Sequence, residues 1–270
     1  MTKFPFEFSK YHGVGNDFII TMTNYISDIP DIPKLVSEIT NRNTGIGADG
    51  FICVDTNPLR MRIYNQDGSI APMCGNGLRC FLNYCYDEKI YEMKINEPFQ
   101  VVTDSGIETV NVISFKPFIS QIYFNKIGIS NTLMDIDETK PIFPLLIGKE
   151  KIYNCYVGTH HSIIFTETFD NIEKIGKKIS NNPIFKRQTN VDFVKVVNRN
   201  EIIVRTYERG VGLTKACGTG ASASAYVCYK LGLCDNVIKV LLELGKLTIR
   251  INNDKICLEG PSEFVFKHHE

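Results

Sequence analysis

The apolar positions along this chain predict an α/β protein rich in strands. "FSKYHGVGNDFIITM" reads as a strand, a glycine-rich turn and a second strand. "DIPKLVSEITNR" carries Leu35, Val36 and Ile39 at helical spacing behind an early proline, so it predicts a helix. "GFICVD" and "MRIYNQ" are strands. "GNGLRCFLNYCYDEKI" predicts a helix, with Leu78, Phe81, Leu82 and Cys85 three and four apart. "FQVVTDSGIETVNVISF" then gives two strands around a turn at Asp104, Ser105 and Gly106.

The second half runs through the same order. "KIYNCYVGTHHSIIF" gives two strands broken at Gly158, and "NIEKIGKKISNN" an amphipathic helix. "VDFVKVVNRNEIIVRTYERG" is a hairpin turning near Asn198, Arg199 and Asn200. "GTGASASAYVCYKLG" is a helix closed by Gly232, and "KLTIRINNDKICLEG" a last hairpin. Each half therefore runs strands, helix, strands, then Cys-Gly-x-Gly opening a second helix, then a hairpin. A duplicated α/β unit explains this; chance likeness of two glycine-rich turns is the alternative. Two domains are expected, residues 1–120 joined by the tail 264–270, and residues 121–263.

At 270 residues and 43% apolar content, the chain is long for one core and comfortable for two. Thirty basic residues balance thirty acidic ones, so no global field points to nucleic acid or an anionic membrane. No apolar run approaches bilayer-spanning length, and "MTKFPFEFSK" lacks the apolar core of a signal peptide. The expectation is a cytoplasmic protein with no nucleic-acid or membrane partner. Nine cysteines occur without a Cys-x-x-Cys pair, so no metal site is expected and reduced thiols are the default. Most should pack as small core residues: Cys53 in a strand, Cys228 and Cys234 on or after the last helix.

Cys74 and Cys217 differ from the rest, because each precedes a glycine-rich helix start. Bare N–H groups there attract anions and stabilise a thiolate. Taken singly, each reads first as a buried cysteine on a small-residue helix. Taken as a pair across a cleft, they could flank one substrate Cα whose carboxylate is held by both helix N-termini. One sulfur would remove the Cα proton and the other return one to the opposite face, which inverts the centre. A thiol, with an ordinary pKa of about 8.5, suits that role near neutral pH.

At these motifs the sequence resembles the diaminopimelate epimerase family. "KYHGVGNDFII", "TGIGADG", "YNQDGSIAPMCGNGLRCF", "QTNVDFV" and "YERGVGLTKACGTGASAS" look like its motifs, in order and over nearly the whole chain. The resemblance implies two pseudo-symmetric domains, each a mixed β-sheet wrapped around a central helix, with the active site in the cleft between them. It implies a homodimer and an isomerase that needs no pyridoxal phosphate or other cofactor, acting on LL- and meso-diaminopimelate in lysine and peptidoglycan biosynthesis. Cys74 and Cys217 become the acid–base thiols. His161 and Glu208 each assist one of them; for His161 a packed core histidine is the plain alternative. Backbone at Gly75, Asn76, Gly218 and Thr219 takes the reacting carboxylate. Asn16, Asn65, Asn190, Glu208 and Arg209 match positions that hold the two ends of the substrate.

Two positions depart from the family pattern. Gly-Asn-Pro-His reads Gly158-Thr159-His160-His161, which puts Thr159 where an asparagine meets the distal carboxylate, and Leu213 replaces a glutamate. A racemase of another amino acid such as histidine, or an epimerase of a diaminopimelate analogue such as lanthionine, is therefore the alternative. Phenazine-pathway isomerases lack the cysteine pair, and proline racemase-like enzymes fit "GVGNDF" and "CGNGLRC" less well. An amino-acid-binding module needs no thiols. A cysteine hydrolase does not explain a second, symmetric Cys-Gly-x-Gly.

Overall fold

Phe18-Ile19-Ile20 and Phe51 to Val54 show no polar alternation because both faces of their sheet are covered. Phe18, Ile20, Ile52 and Val54 pack into one core, while Ile19, Phe51 and Cys53 point into another on the opposite face. The fold is taken from a computed structural model that describes residues 4–124, 126–253 and 255–269.

Chain order begins β1 (Phe8–Gly13), β2 (Asn16–Met22), α1 (Ile32–Thr40), β3 (Gly50–Thr56), β4 (Leu59–Asn65), β5 (Ile70–Ala71) and α2 (Gly75–Asp87). It continues with β6 (Phe99–Thr103), β7 (Gly106–Phe115), β8 (Phe118–Phe124), β9 (Ile127–Gly128), α3 (Asn131–Met134) and β10 (Leu145–Ile147). Then come β11 (Glu150–Val157), β12 (Thr159–Phe165), α4 (Ile172–Ser180), β13 (Asn190–Asn198), β14 (Glu201–Glu208), β15 (Gly212–Thr214) and α5 (Gly218–Lys230). It closes with β16 (Val237–Leu241), β17 (Lys246–Asn252), β18 (Lys255–Pro261) and β19 (Glu263–His268).

The chain divides into two units, Met1–Ile122 with Gly260–Glu270, and Tyr123–Glu259. The return to the first unit precedes β19: the Pro261 carbonyl accepts from Arg79 Nε (3.2 Å) and the Ser262 carbonyl from Asn83 Nδ2 (3.0 Å).

The first unit pairs β19 and β1 antiparallel, β1 and β2 antiparallel, β2 and β3 parallel, β3 and β4 antiparallel, β4 and β6 parallel, and β6 and β7 antiparallel. In the second unit β11 and β12 are antiparallel, β12 and β13 parallel, β13 and β14 antiparallel, β14 and β16 parallel, and β16 and β17 antiparallel. The two runs are the same, strand for strand, from β1 and β11 onward. Short β5 and β15 cap β4 and β14 in both, immediately before the cysteines.

Each unit is thus a mixed sheet around a buried central helix. Helix α2 packs against β1, β2, β3, β4 and β19, and every residue from Gly75 to Cys85 is buried. Helix α5 touches β11, β12, β13, β14, β16 and β17. A helix surrounded on all sides must be apolar or small all round. Ala221 to Ala225 meet that condition, and Ser222 disposes of its hydroxyl on the Gly218 carbonyl (2.9 Å). Helices α1 and α4 cover the other faces. Asp31 caps α1 by accepting the Lys34 N–H, and α4 buries Ile172, Gly176 and Ile179.

Candidate active site

Both singled-out cysteines are helix N-caps. Cys74 precedes α2 with φ −142° and ψ 120°, and Cys217 precedes α5 with φ −122° and ψ 110°. The Cys74 carbonyl starts its helix by accepting from Leu78 N (2.8 Å), and that of Cys217 by accepting from Ala221 N (2.9 Å). Each sulfur takes the cap position of a serine oxygen. Cys74 Sγ accepts from Gly77 N at 3.5 Å, and Cys217 Sγ from Gly220 N at 3.3 Å. A thiolate in that place gains from the N–H and from the helix dipole. Gly75 and Asn76 form the first helical turn beside one sulfur, Gly218 and Thr219 beside the other.

In the first unit the structure brings Cys74, Asn16 and Asn76 together. Asn76 Nδ2 donates to Asn16 Oδ1 at 3.0 Å, and Cys74 Sγ lies 3.9 Å from the same oxygen. Asn16 Nδ2 donates in turn to Asp49 at 2.7 Å. Asn65, at the end of β4, instead donates to Ser69 Oγ at 3.0 Å. Asp49 and Arg79 belong to this constellation and were not singled out from the sequence. Their signal was present: Asp49 ends "TGIGAD", and Arg79 is a charge set among the apolar Leu78, Phe81, Leu82 and Cys85 of the helix.

The second unit gathers Cys217, Glu208, His161 and Asn190. His161 is fully buried, with Nδ1 2.7 Å from Asp192 Oδ2 and Nε2 without a hydrogen-bond partner among the described residues. Thr206 Oγ1 donates to Asp192 Oδ1 at 2.7 Å. Asp192 is the residue sequence reasoning missed here, although it stands two places after Asn190 on the same strand face. Glu208 accepts from Thr214 Oγ1 at 2.6 Å, and Asn190 Oδ1 accepts from the backbone of Arg209 at 3.0 Å. The Arg209 guanidinium is exposed and donates to the Arg187 carbonyl at 2.9 Å. Thr159 opens β12, half-buried, with no side-chain hydrogen bond among the described residues. Leu213 is exposed on β15.

The Cys217 thiol is pushed well above its ordinary value, first by burial and then by the charges of Glu208 and Asp192. The Thr219 hydroxyl, with its oxygen 3.5 Å from Sγ, and the Gly220 N–H pull the other way and lose. In this state Cys217 is a thiol at neutral pH.

The diaminopimelate epimerase family model matches residues 8–116 and 153–265. The chain belongs to the diaminopimelate epimerase family. A protein of Halothermothrix orenii named diaminopimelate epimerase is 37% identical, over 96% of this chain and 95% of its own length. One of that name from Clostridium perfringens is 35% identical over 96% of this chain and 97% of its own. The archaeon Methanocaldococcus jannaschii has another at 35%, covering 96% and 97%. Family membership makes this chain an isomerase.

Solved structures share the fold at low identity. A Bacillus anthracis phenazine biosynthesis protein of the PhzF family superposes with TM-score 0.71 at 12% identity, covering 97% of this chain and 98% of its own. A probable proline racemase from Agrobacterium radiobacter gives 0.70 at 12%, covering 98% and 92%.

Proposed function

We propose that this chain inverts the Cα of LL-diaminopimelate to give the meso form, using Cys74 and Cys217 as an acid–base pair and no cofactor. One observation carries the reading. Two topologically equivalent units each present a cysteine as the N-cap of a buried helix, with the sulfur on the first-turn N–H groups. Binding alone does not need two such thiols. Cys217 is the proton donor of the resting enzyme, because burial with Glu208 and Asp192 keeps it protonated. Cys74 is then the base that takes the Cα proton. Backbone at Gly75, Asn76, Gly218 and Thr219 holds the reacting carboxylate, where growing negative charge meets the positive ends of α2 and α5. In the reverse direction the two thiols exchange roles.

Asn16, Asn65, Thr159, Asn190 and Arg209 hold the substrate's remaining groups in this reading, and His161 and Glu208 tune the thiols. The homologues' shared name supports diaminopimelate over other amino acids. The reaction belongs to lysine and peptidoglycan biosynthesis. Among the described residues none of the nine cysteines is in a disulfide, which fits a reducing cytoplasm. Among the described residues, no helix is long and apolar enough to cross a membrane. The enzyme acts as a homodimer, an assignment supported by β19. That strand pairs with β1 and exposes Phe264, Val265 and Phe266 in sequence, an apolar edge a second copy would cover.

The test is exchange of the Cα proton in D2O, followed by NMR, with LL-diaminopimelate, lanthionine, histidine and a panel of free amino acids. Deuterium should enter diaminopimelate fastest, and Cys74→Ala and Cys217→Ala should each abolish inversion. Faster turnover of lanthionine or of a monocarboxylic amino acid would make Thr159 and Leu213 the marks of a changed substrate. Near-parental inversion by both variants would end the two-thiol mechanism.

A further inference from the structure

Arg79 lies on α2, one helical turn beyond Cys74, and is wholly buried. Among the described residues its guanidinium meets only neutral acceptors. Nη1 donates to the Gly75 carbonyl at 3.3 Å, Nη2 to Asn76 Oδ1 at 2.9 Å, and Nε to the Pro261 carbonyl at 3.2 Å. Its own carbonyl is held by the Ser262 hydroxyl at 3.0 Å. Gly13 lets the guanidinium in, since a Cβ there would stand 3.0 Å from Nη2. Burial pulls the group down from its ordinary value to about 10, so it is still a cation at neutral pH. A buried guanidinium without a carboxylate partner is costly and calls for a reason.

The other charges around the N-terminus of α2 are already paired. Asp17 on β2 lies 2.9 Å from Lys10 of β1 and 2.6 Å from Arg42, which also holds Asp49 at 2.7 Å. His12 of β1 faces Glu263 of β19 at 3.8 Å, and Lys267 of β19 meets Glu88 at 2.8 Å. Arg60 and Arg62 of β4 share Asp104. Asp55 of β3 lies toward Cys53, on the strand face away from the Ile52 and Val54 core. Cys80 and Cys85 on α2, and Tyr11 and Tyr84, are pushed up chiefly by burial and stay neutral. Two thiols act on Arg79's charge, Cys80 and Cys74; burial keeps Cys80 protonated, so the anion it meets is the Cys74 sulfur once that loses its proton.

The hydrogen-bond chain has a direction as well. Arg79 can only donate, and the Asp49 carboxylate can only accept. Between them Asn76 must turn its oxygen to Arg79 and its NH2 to Asn16. Asn16 must then turn its oxygen toward Cys74 and its NH2 to Asp49. Both amide orientations are fixed by charged ends rather than by free rotation.

We propose that Arg79 is a positioning residue for Cys74: its buried charge favours the thiolate, and its hydrogen bonds lock the Asn76–Asn16 relay against the sulfur. This rests on the reading of Cys74 as an acid–base thiol.

The experiment follows alkylation of Cys74 by iodoacetamide from pH 6 to 10 in the full chain, with the site located by tandem mass spectrometry. Arg79→Met should move the profile to higher pH by about one unit, slowing alkylation roughly tenfold at pH 7. Arg79→Lys keeps the charge but cannot span three acceptors. It should hold the profile within about twofold while kcat falls at least tenfold and KM changes little. Superimposed Cys74 profiles for the parent and a folded Arg79→Met overturn the proposal. If Arg79→Met does not fold, a folded Arg79→Lys enzyme with parental kcat overturns it instead. Activity in Cys74→Ala would be a separate failure, of the acid–base reading itself, because alkylation reads the thiol without turnover.

Discussion

Alanine at two equivalent glycines should have opposite consequences. Gly77 and Gly220 are the third residues of α2 and α5, and each gives its N–H to the cap sulfur. A helix would gain up to about 1 kcal/mol from either change. The surroundings decide the sign. A Cβ on Gly77 would stand 3.0 Å from Ile63 Cδ1 and 3.3 Å from Ile52 Cδ1, the mobile ends of aliphatic side chains. These can give by a few tenths of an ångström. A Cβ on Gly220 would overlap Asp192 Oδ1 and stand 2.9 Å from Thr206 Oγ1. Neither can retreat, because Asp192 is fully buried between His161 and Thr206 with both bonds at 2.7 Å. Overpacking costs about 1–3 kcal/mol. Breaking one hydrogen bond to the buried carboxyl costs a similar amount. After the helix gain, Gly220→Ala should lose about 3 kcal/mol, and Gly77→Ala should stay within about 1 kcal/mol of the parent. At about 2–4 °C per kcal/mol, Gly220→Ala should melt roughly 6–12 °C lower. Thermal melts by circular dichroism measure this. In the double variant Gly220→Ala/Asp192→Ala the two losses should not add, since the second removes the obstacle. Equal melting of parent and Gly220→Ala, or a larger loss in Gly77→Ala, would refute the packing argument.

Two further outcomes follow from charge. Glu208 raises the Cys217 thiol, so Glu208→Gln should lower it and speed alkylation of Cys217 at a fixed pH near 8; unchanged or slower labelling would count against Glu208 as its neighbour. Burial alone would push Asp17 up, but the hydrogen bonds from Arg42 and Lys10 outweigh it and hold the carboxyl below its ordinary value. That contribution to stability is present above the unfolded carboxylate range, near pH 4, and is lost as pH falls through the depressed folded value. Arg42→Leu should therefore move acid unfolding, followed by circular dichroism, to higher pH; an unmoved midpoint would mean the pair contributes nothing.

Local pattern determined much of this protein. The helices over Ile32–Thr40, Gly75–Asp87, Ile172–Ser180 and Gly218–Lys230 were legible because apolar or small residues recur at helical spacing behind cap and glycine signals. The repeat was legible because Cys-Gly-x-Gly opens the second helix of each half. Strand β19 was not, since Phe264, Val265 and Phe266 are exposed and do not alternate. The parallel pairs β2 with β3 and β12 with β13 join segments separated by a helix, which no local period encodes. Those pairings decided the rest of the site. They align His161 with Asn190 across β12 and β13, two residues from Asp192, and they surround α2 so completely that Arg79 is sealed in with no carboxylate partner among the described residues. Sequence spacing marks which residues start a helix or line a strand face. Which charge is buried beside which thiol depends on contacts between distant segments, and only the tertiary structure brings those together.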